Sequence, residues 1–405
     1  MFTNNRGRRA AVVAAFAAAF VGVGTAATWG VTRSSAGDYP VYFDERISDD
    51  KRDRVDIAEP AEALTFARVR NAGATQLILV RSYENGTVSG VPVPGQADPV
   101  KAFTALGYDA LRAQAGKKEP VNFPATELTI PFEGHGHNIA MGTNYPEHGA
   151  ETSIDSAFLF PKMVAPSVHT DDLPVGDGLL DYEVELGMVP LTDLHPGESP
   201  EYLGLVLTDD WSNRETLLKH VNVDDVASGD GFTSAKSEPG FLTVGSLFVI
   251  PADWQKFHRE LQLELYVDDE LRQRGTPAEQ IWDAPEIFRQ IFAAGGRRWD
   301  HFGTPVTVTD RPDTIPARTV IQTGTPEGVV MRRPSTSDKI AGGIAYVTSF
   351  GQNADTVVDS AVGVYIARAH EDQAYLQPGM KVITRADRLG LIETSIVPGS
   401  RATKQ

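Results

Sequence analysis

Beyond Pro131 the chain consists of many short apolar runs that are separated by glycine, proline and aspartate. Runs of this length, bounded by turn-forming residues, are typical of β-strands. The predicted strands are 182–189, 202–208, 241–250, 262–267, 319–323 and 381–384. One sizeable helix is predicted over 278–294, after Thr276-Pro277, with a break at Pro285. This pattern predicts a β-rich α+β domain over residues 131–400.

The first residues have the pattern of an export signal. Arg6, Arg8 and Arg9 precede a weakly apolar run that is rich in alanine, and small and polar residues follow it. We therefore expect residues 1–33 to be a signal peptide or membrane anchor. The expected location is periplasmic, extracellular or anchored to the outer face of the cytoplasmic membrane. The Arg8-Arg9 pair also fits a twin-arginine signal, although an ordinary basic segment explains it equally well.

Two further segments precede the β-rich domain. Residues 34–63 are charged and irregular, which predicts a surface linker or arm. Residues 64–130 are predicted to form a small α+β module, because short strand-like runs at 64–69 and 76–80 precede an Asn85-Gly86 hairpin signal and Asp98-Pro99 begins a helical pattern that ends at Gly116.

Composition limits the possible partners and metal ligands. The 405 residues carry a net charge of −17, which disfavours nucleic acid as a partner. The chain contains no cysteine, so a thiolate metal site and a cysteine nucleophile are both excluded. Any metal must be held by Asp, Glu or His, and such ligands favour a hard divalent cation.

The hexapeptide DYEVEL at positions 181–186 places two carboxylates close together. If it is a strand, Glu183 and Glu185 lie on the same face, roughly 7 Å apart along the backbone. Like charges at this distance must be exposed to water, share a proton or be bridged by a cation. On its own the hexapeptide also fits a strand with a solvated acidic face.

Two histidine motifs invite a functional interpretation. His148 and Glu151 are three residues apart, so on a helical turn they can form a general base and its orienting partner. An exposed surface pair is the alternative. The segment Gly134-His-Gly-His137 has the spacing of a metal site, but it also fits a glycine-rich approach to a strand.

Several stretches, taken in order, resemble the signature segments of the fumarylacetoacetate hydrolase family. The resemblance covers about residues 130–330 and resumes at about 376–395. The stretches are GTNY at 142–145 with His148 and Glu151, DYEVEL at 181–186, TDDWSNR at 208–214 with Lys236-Ser237, TGTPEGV at 323–329, and the closing segment 379–390. This implies the family's fold, a mixed β-sandwich or β-roll.

The resemblance implies a divalent cation, most often magnesium and otherwise manganese or calcium. Its ligands at the matching positions would be Glu183, Glu185 and Asp210. Three carboxylates offer oxygen ligands and leave positions free for water and a chelating substrate. Asp209 stands where the family has asparagine, so it is a candidate for an additional or alternative ligand.

The resemblance also implies roles for other side chains. Lys236 would neutralise a substrate carboxylate or a developing enolate. Thr325 and the backbone of Gly324 would bind the substrate carboxylate, and Tyr145 would contact the substrate. Arg214 would either bind substrate or act as a structural partner of the acidic cluster.

The implied activity is metal-dependent hydrolysis of a C–C bond in a 1,3-dicarbonyl or acylpyruvate-type 2-oxo acid. His148, oriented by Glu151, would activate a water molecule, and the cation would stabilise an enolate. The alternatives are decarboxylation, isomerisation or hydration at the same site, or an exported protein that binds metal or ligand without catalysis. Members of the family are commonly homodimers, so we expect a homodimer.

The sequence departs from the family's pattern in three ways. An export signal is unusual for this family. Residues 335–371 match nothing in the family's pattern and are predicted to be an insertion. Pro316-Ala-Arg318 replaces a Pro-Gly-Asp turn, and Glu238-Pro-Gly240 replaces Phe-Asp-Thr behind Lys236. The two replaced segments affect the shape of the expected pocket more than its metal ligands.

Overall fold

The computed structural model describes residues 43–399, with gaps at 72, 118, 153, 155, 333–340, 342–343 and 345–355. The described residues up to Arg332 and from Tyr375 onward belong to one compact unit, and the helix Val357–Glu371 belongs to another. The predicted signal peptide at 1–33 lies outside the described residues, so export stays a prediction. In the described ranges, no helix combines the length and apolar character that a bilayer crossing requires.

Most of the described helices are short, apart from Pro99–Lys117, Ala284–Ala294 and Val357–Glu371. The α-helices are Asp49–Asp53, Pro99–Lys117, Pro146–Thr152, Arg214–His220, Phe232–Ala235, Trp254–Phe257, Ala284–Ala294 and Val357–Glu371. Single 3₁₀ turns occur at Ala125–Glu127, Val226–Ser228, His258–Glu260 and Pro277–Glu279. The last α-helix falls in the predicted insertion, and its Thr356 and Asp359 cap each other's backbone N–H groups at 2.9 and 3.1 Å.

Strands hold more residues of the large unit than helices do. They are β1 Arg54–Val55, β2 Ala63–Asn71, β3 Ala74–Glu84, β4 Thr87–Pro92, β5 Val121–Pro124, β6 Leu128–Thr129, β7 Asn138–Gly142, β8 Phe158–Lys162, β9 Ser167–Val168, β10 Leu173–Val175, β11 Leu180–Asp181, β12 Val184–Pro190, β13 Leu203–Asp210, β14 Ser212–Asn213, β15 Leu242–Val244, β16 Leu247–Pro251, β17 Leu263–Val267, β18 Glu270–Gly275, β19 Trp299–His301, β20 Thr304–Val306, β21 Ile321–Gln322, β22 Lys381–Ala386 and β23 Gly390–Pro398. The prediction of a β-rich α+β fold is therefore confirmed.

The largest sheet runs in the order β5-β4-β3-β2-β16-β13-β12-β21-β7-β8. A second sheet has the order β10-β23-β22-β17-β18, and the pairs β11/β14 and β19/β20 are separate. The strands of the predicted N-terminal module continue the large sheet, because β2 pairs with β16. The two large sheets bury apolar side chains of β12, β13, β17 and β22 in one common core.

The strand directions bring four strand ends together on one side of the large sheet. β13 and β21 both run antiparallel to β12, so the start of β12 lies beside the ends of both neighbours. β7 is parallel to β21, so its end lies there as well. The segments that meet on this side are DYEVEL, the aspartates that end β13, TGTPEGV and GTNY.

Two element predictions are corrected. The predicted strand 241–250 is divided into β15 and β16, because its register on β13 shifts between Val244, which pairs with Thr208, and Val249, which pairs with Leu205. The predicted helix 278–294 consists of the 3₁₀ turn Pro277–Glu279 and the α-helix Ala284–Ala294, so the break lies at 280–283 and not at Pro285. Pro285 lies in the first turn of the α-helix, after the N-cap Asp283, where proline loses no intrahelical hydrogen bond. The Asn85-Gly86 hairpin and the cap at Asp98 are as predicted.

The packing of β13 makes a stability prediction. A Cβ atom at Gly204 would overlap the ring of Phe248. We expect Gly204→Ala to lower the free energy of unfolding by about 1–3 kcal/mol, because the core must shift to admit the methyl group. Urea denaturation measures this change.

The matched control is Gly116→Ala, since a Cβ atom at Gly116 meets nothing within 4 Å and the residue is helical. It is expected to leave stability unchanged or to raise it by up to about 1 kcal/mol. Equal effects of the two substitutions would contradict the packing argument.

Candidate active site

Three carboxylates converge where β12 begins and β13 ends. One oxygen from each of Glu183, Glu185 and Asp210 lies within 4.8 Å of the others. All three side chains are buried. The alternative of an exposed acidic strand is therefore excluded, and the separation is short enough for a single ion to contact all three.

Basic side chains surround these carboxylates. Lys236 Nζ donates to Glu183 Oε2 at 2.8 Å and to Asp210 Oδ2 at 2.9 Å. Lys162 Nζ donates to Asp210 Oδ1, and Arg214 Nη2 donates to Glu183 Oε1 at 2.6 Å. The three bases are themselves buried, so each of these charges depends on its partners for compensation.

The carboxylates differ in their affinity for protons. Burial raises the pKa of Glu183, but Lys236 and Arg214 outweigh it and lower the value to about 2. Burial raises the pKa of Glu185 well above its usual range, and the charges of Asp210 and Glu183 add to this effect. Without a cation, Glu185 is therefore the member of the group that retains a proton most readily.

The residues present fit a divalent cation. In the described part of the site, the carboxylates of Asp181, Glu183, Glu185 and Asp210 lie with the bases Lys162, Arg214 and Lys236, so four negative charges oppose three positive ones. A divalent cation would compensate the negative charge that is left over. Glu185 Oε1 is buried without a hydrogen-bond partner, as a free metal ligand would be.

Asp209 stands apart from the group of three. Its Oδ1 accepts the hydroxyl hydrogen of Thr384, on β22 of the second sheet, at 2.6 Å. Adjacent residues of a strand point to opposite faces, which explains why Asp209 faces away from Asp210. Burial raises the pKa of Asp209 to about 8.

Arg214 connects the site to the chain that follows TGTPEGV. Asp181 accepts Arg214 Nε at 2.8 Å and the backbone N–H groups of Val330 and Met331 at 3.0 and 3.1 Å. The same guanidinium also binds Glu183. These contacts favour a role for Arg214 as a structural partner of the acidic cluster over a role in substrate binding.

His148 and Glu151 lie together on the helix Pro146–Thr152, as their spacing predicts. His148 Nδ1 is 3.1 Å from Glu151 Oε2, and the side chains are 7% and 4% exposed. Glu151 also accepts the N–H of Gly328 at 3.2 Å and pairs with Arg332 at 2.6 Å. A surface pair is excluded, and the partner on Nδ1 leaves Nε2 to exchange a proton with a substrate or water.

The TGTPEGV segment supports the carboxylates directly. Gly324 donates its N–H to Glu185 Oε2 at 2.6 Å, so the structure gives this donor to a protein carboxylate. Its φ is +98°, and a Cβ atom would lie 2.7 Å from Asn144 Cβ, so only glycine fits. Thr325 Oγ1 accepts Gln273 Nε2 at 2.9 Å, and Gln273 Oε1 accepts the N–H of Val184 at 3.0 Å.

Tyr145 is fully buried beside this segment. Its hydroxyl is 3.5 Å from Gln280 Nε2, which donates to Thr323 Oγ1 at 2.7 Å. Burial raises the pKa of Tyr145 above its ordinary value, so the hydroxyl keeps its proton and can donate a hydrogen bond.

Some site residues were missed in the sequence. Lys162, Gln273 and Gln280 reach the site from β8, β18 and the segment after a 3₁₀ turn. The signal for Lys162 was available, because a lysine that ends a wholly apolar strand must have a charged partner. His135 and His137 instead contact Thr319 Oγ1 at 3.3 Å and the Thr307 carbonyl at 2.9 Å as the chain approaches β7.

The chain is similar in sequence to a known family and to enzymes of a plant and a bacterium. A sequence profile described as fumarylacetoacetate (FAA) hydrolase C-terminal matches residues 137–397. A mitochondrial oxaloacetate tautomerase of Oryza sativa subsp. japonica is 27% identical over 219 residues, which are 51% of this chain and 84% of that protein. The homoprotocatechuate catabolism bifunctional isomerase/decarboxylase of Escherichia coli is 25% identical over 200 residues, 46% of this chain but only 44% of its own length.

Solved structures share the fold. A maleylpyruvate hydrolase from Sphingobium sp. SYK-6, in complex with manganese(II) and pyruvate, superposes with a TM-score of 0.50 at 18% identity, covering 83% of this chain and 100% of that one. The 2-hydroxyhepta-2,4-diene-1,7-dioate isomerase from Mycobacterium marinum gives 0.51 at 14% identity, with 84% and 100% covered. The predicted fumarylacetoacetate hydrolase-like fold is confirmed.

Removal of one ligand charge tests the metal site. We expect Glu185→Gln to weaken Mn²⁺ binding by about 100-fold or more, because the amide keeps the Gly324 hydrogen bond but loses the charge. Isothermal titration calorimetry measures the affinity. Glu264→Gln is the control, since this buried carboxylate pairs with Lys51 and Arg274 elsewhere. Unchanged affinity in Glu185→Gln would exclude the site.

Asp209 gives a pH prediction. A carboxyl whose pKa rises from 3.8 to about 8 on folding binds a proton that the unfolded chain releases, so its contribution to stability falls as pH rises through that window. In EDTA, wild type should lose stability relative to Asp209→Asn by about 1.4 kcal/mol per pH unit between pH 5 and 7. Urea denaturation at several pH values measures the difference, and a difference independent of pH would contradict the prediction.

Proposed function

Because the chain belongs to the fumarylacetoacetate (FAA) hydrolase C-terminal family, we propose that it is a divalent-metal-dependent enzyme of 2-oxo acids. The proposed reaction is hydrolysis of a C–C bond in an acylpyruvate or another 1,3-dicarbonyl. One observation carries the proposal: the segment 328–330 holds the buried His148–Glu151 pair through Gly328 and the surroundings of the buried carboxylate triad through Val330 and Asp181. The triad offers a place for a cation, and the pair offers a base.

Glu183, Glu185 and Asp210 would hold the cation. Their hard oxygen donors suit magnesium, which we propose first, or manganese, the ion in the similar maleylpyruvate hydrolase structure. When bound, the ion would polarise the oxygens of a 2-oxo acid and stabilise the enolate charge that develops as the C–C bond breaks.

The basic side chains would bind the acidic substrate. Lys236 and Lys162 each contact Asp210, and a substrate carboxylate near them would meet two positive charges. The Thr325 hydroxyl and the protonated Tyr145 are hydrogen-bonding groups that can orient the remaining oxygens. These side chains come from four separate parts of the chain, which favours a single binding pose.

His148 would act as the general base. It accepts a proton from water while Glu151, fixed by Gly328 and Arg332, stabilises the resulting imidazolium. The hydroxide equivalent forms a bond to the distal acyl carbon. The bond between that carbon and C3 of the pyruvate part breaks, and its electron pair stays on the pyruvate fragment. Protonation of that fragment at C3 by His148 yields a carboxylic acid and pyruvate.

Tautomerisation of oxaloacetate is the second candidate. The rice oxaloacetate tautomerase is matched over 84% of its length, and its reaction needs only a proton transfer between carbon and oxygen. The same base and positive charges could perform that transfer without a water nucleophile. The two candidates therefore differ in the use of water, and their products differ accordingly.

A substrate panel distinguishes these functions. We expect acylpyruvates to be cleaved in the presence of Mg²⁺ or Mn²⁺ and not in EDTA, with oxaloacetate and 2-oxo-dienoates as the comparison substrates. His148→Gln should lower hydrolysis by about 10²–10⁴-fold because the general base is lost. Absorbance of the enol and product analysis measure the rates.

His220→Gln is the matched control, because this histidine is exposed at the end of another helix. It should keep wild-type rates. Enolisation of oxaloacetate without cleavage of any acylpyruvate would replace the hydrolase assignment with the tautomerase. Thermal stabilisation by oxalate with metal, without turnover of any substrate, would indicate a binding protein.

A further inference from the structure

We propose that the β19–β20 hairpin, residues 299–306, positions Lys236 over the carboxylate triad, and that Ser234 is the positioning residue through which it acts. The proposal rests on the proposed function, because that function gives Lys236 a part in substrate binding.

Lys236 needs external support. It caps the C-terminal end of the helix Phe232–Ala235, and its N–H donates to the Phe232 carbonyl at 3.0 Å. A helix of a single turn has almost no stability of its own. The position of the Lys236 backbone therefore depends on what this turn packs against.

The hairpin holds this turn through Ser234. The buried hydroxyl of Ser234 accepts the N–H of Phe302 at 2.9 Å and donates to the Asp300 carbonyl at 3.2 Å. Both partners are backbone groups at the hairpin turn. Ser234 lies two residues before Lys236, so a shift of the turn would be transmitted directly to the lysine.

The hairpin also holds the loop that enters the short helix. Trp299 Nε1 donates to the Ser228 carbonyl at 3.1 Å, and the Arg297 guanidinium, which lies 4.7 Å from the Trp299 ring centroid, donates to the same oxygen. A Cβ atom at Gly229 would lie 2.9 Å from the Leu159 carbonyl and 3.1 Å from Trp299 Nε1. The loop is therefore enclosed between the hairpin and β8.

The opposite side of the short helix packs on β8. The Phe232 ring lies 4.8 Å from Phe158 and 5.4 Å from Phe160, measured between centroids. Ser237 Oγ accepts the N–H of Met163 at 2.8 Å. Ser237 and Met163 directly follow Lys236 and Lys162, so this hydrogen bond fixes the backbone positions of the two lysines relative to each other.

Two variants and one control test the hairpin. Ser234→Ala removes both hydrogen bonds. Gly303→Val leaves Ser234 intact but strains the hairpin turn, because Gly303 has a φ of +84° in open space. Gly197→Val is the matched control, since Gly197 has the same φ and also meets nothing within 4 Å. If Ser234→Ala fails to fold, Gly303→Val carries the test.

The first measurement is amide hydrogen exchange followed by mass spectrometry. Peptides that cover 228–237 should exchange faster in Ser234→Ala and Gly303→Val than in wild type, and Gly197→Val should match wild type. The second measurement is kinetic and calorimetric. Both hairpin variants should lower kcat and the affinity for oxalate with Mn²⁺ by about 10- to 100-fold. Affinity for Mn²⁺ alone should stay within about threefold, since the three carboxylates remain.

A double-mutant cycle separates positioning from general destabilisation. In a Lys236→Met background, Ser234→Ala and Gly303→Val should cause no further loss of oxalate affinity. An equal loss in both backgrounds, or unchanged exchange at 228–237, would overturn the proposal. If wild type turns over no substrate, the proposed function fails, and the exchange and oxalate measurements still decide the role of the hairpin.

Discussion

The buried ion network between β12 and β13 is the interaction on which the site depends. Lys236 joins Glu183 to Asp210, and Arg214 joins Glu183 to Asp181. Removing a charge from water costs several kcal/mol per ion, so this arrangement is stable only when every member is compensated. Glu185 is the least compensated member, which makes it the point at which a divalent cation would contribute most.

The large sheet supplies the geometry that this network requires. Antiparallel pairing sets Val184 opposite Asp209, so residues on either side of this pair bring their carboxylates together. Gly324, which follows β21 and has a positive φ, donates its backbone N–H to Glu185 Oε2. The chemistry of the site is thus fixed by strand register, and a shift of one residue would turn both glutamates to the opposite face.

Local spacing allowed part of the site to be predicted from sequence. The alternation in DYEVEL indicated Glu183 and Glu185, and the helical spacing of His148 and Glu151 indicated their contact. Such patterns act over a few residues, whereas Lys162 reaches Asp210 from 48 positions away. Only strand pairing brings these segments together, and no local pattern specifies it. The same limit explains the corrected strand break near Gly245, which a shift of register on β13 determines.

The same short segment, residues 328–330, contacts both the His148–Glu151 pair and the surroundings of the carboxylate triad. Gly328 donates to Glu151, which orients His148, while Val330 two residues later donates to Asp181, which orients Arg214. A displacement of this short segment would therefore change the general base and the surroundings of the triad together. In the proposed function the carboxylate triad would serve hydrolysis and tautomerisation equally, because both would develop negative charge on the same oxygens. The choice between the two proposed reactions would then depend on how the segment 328–330 positions His148 relative to a water molecule.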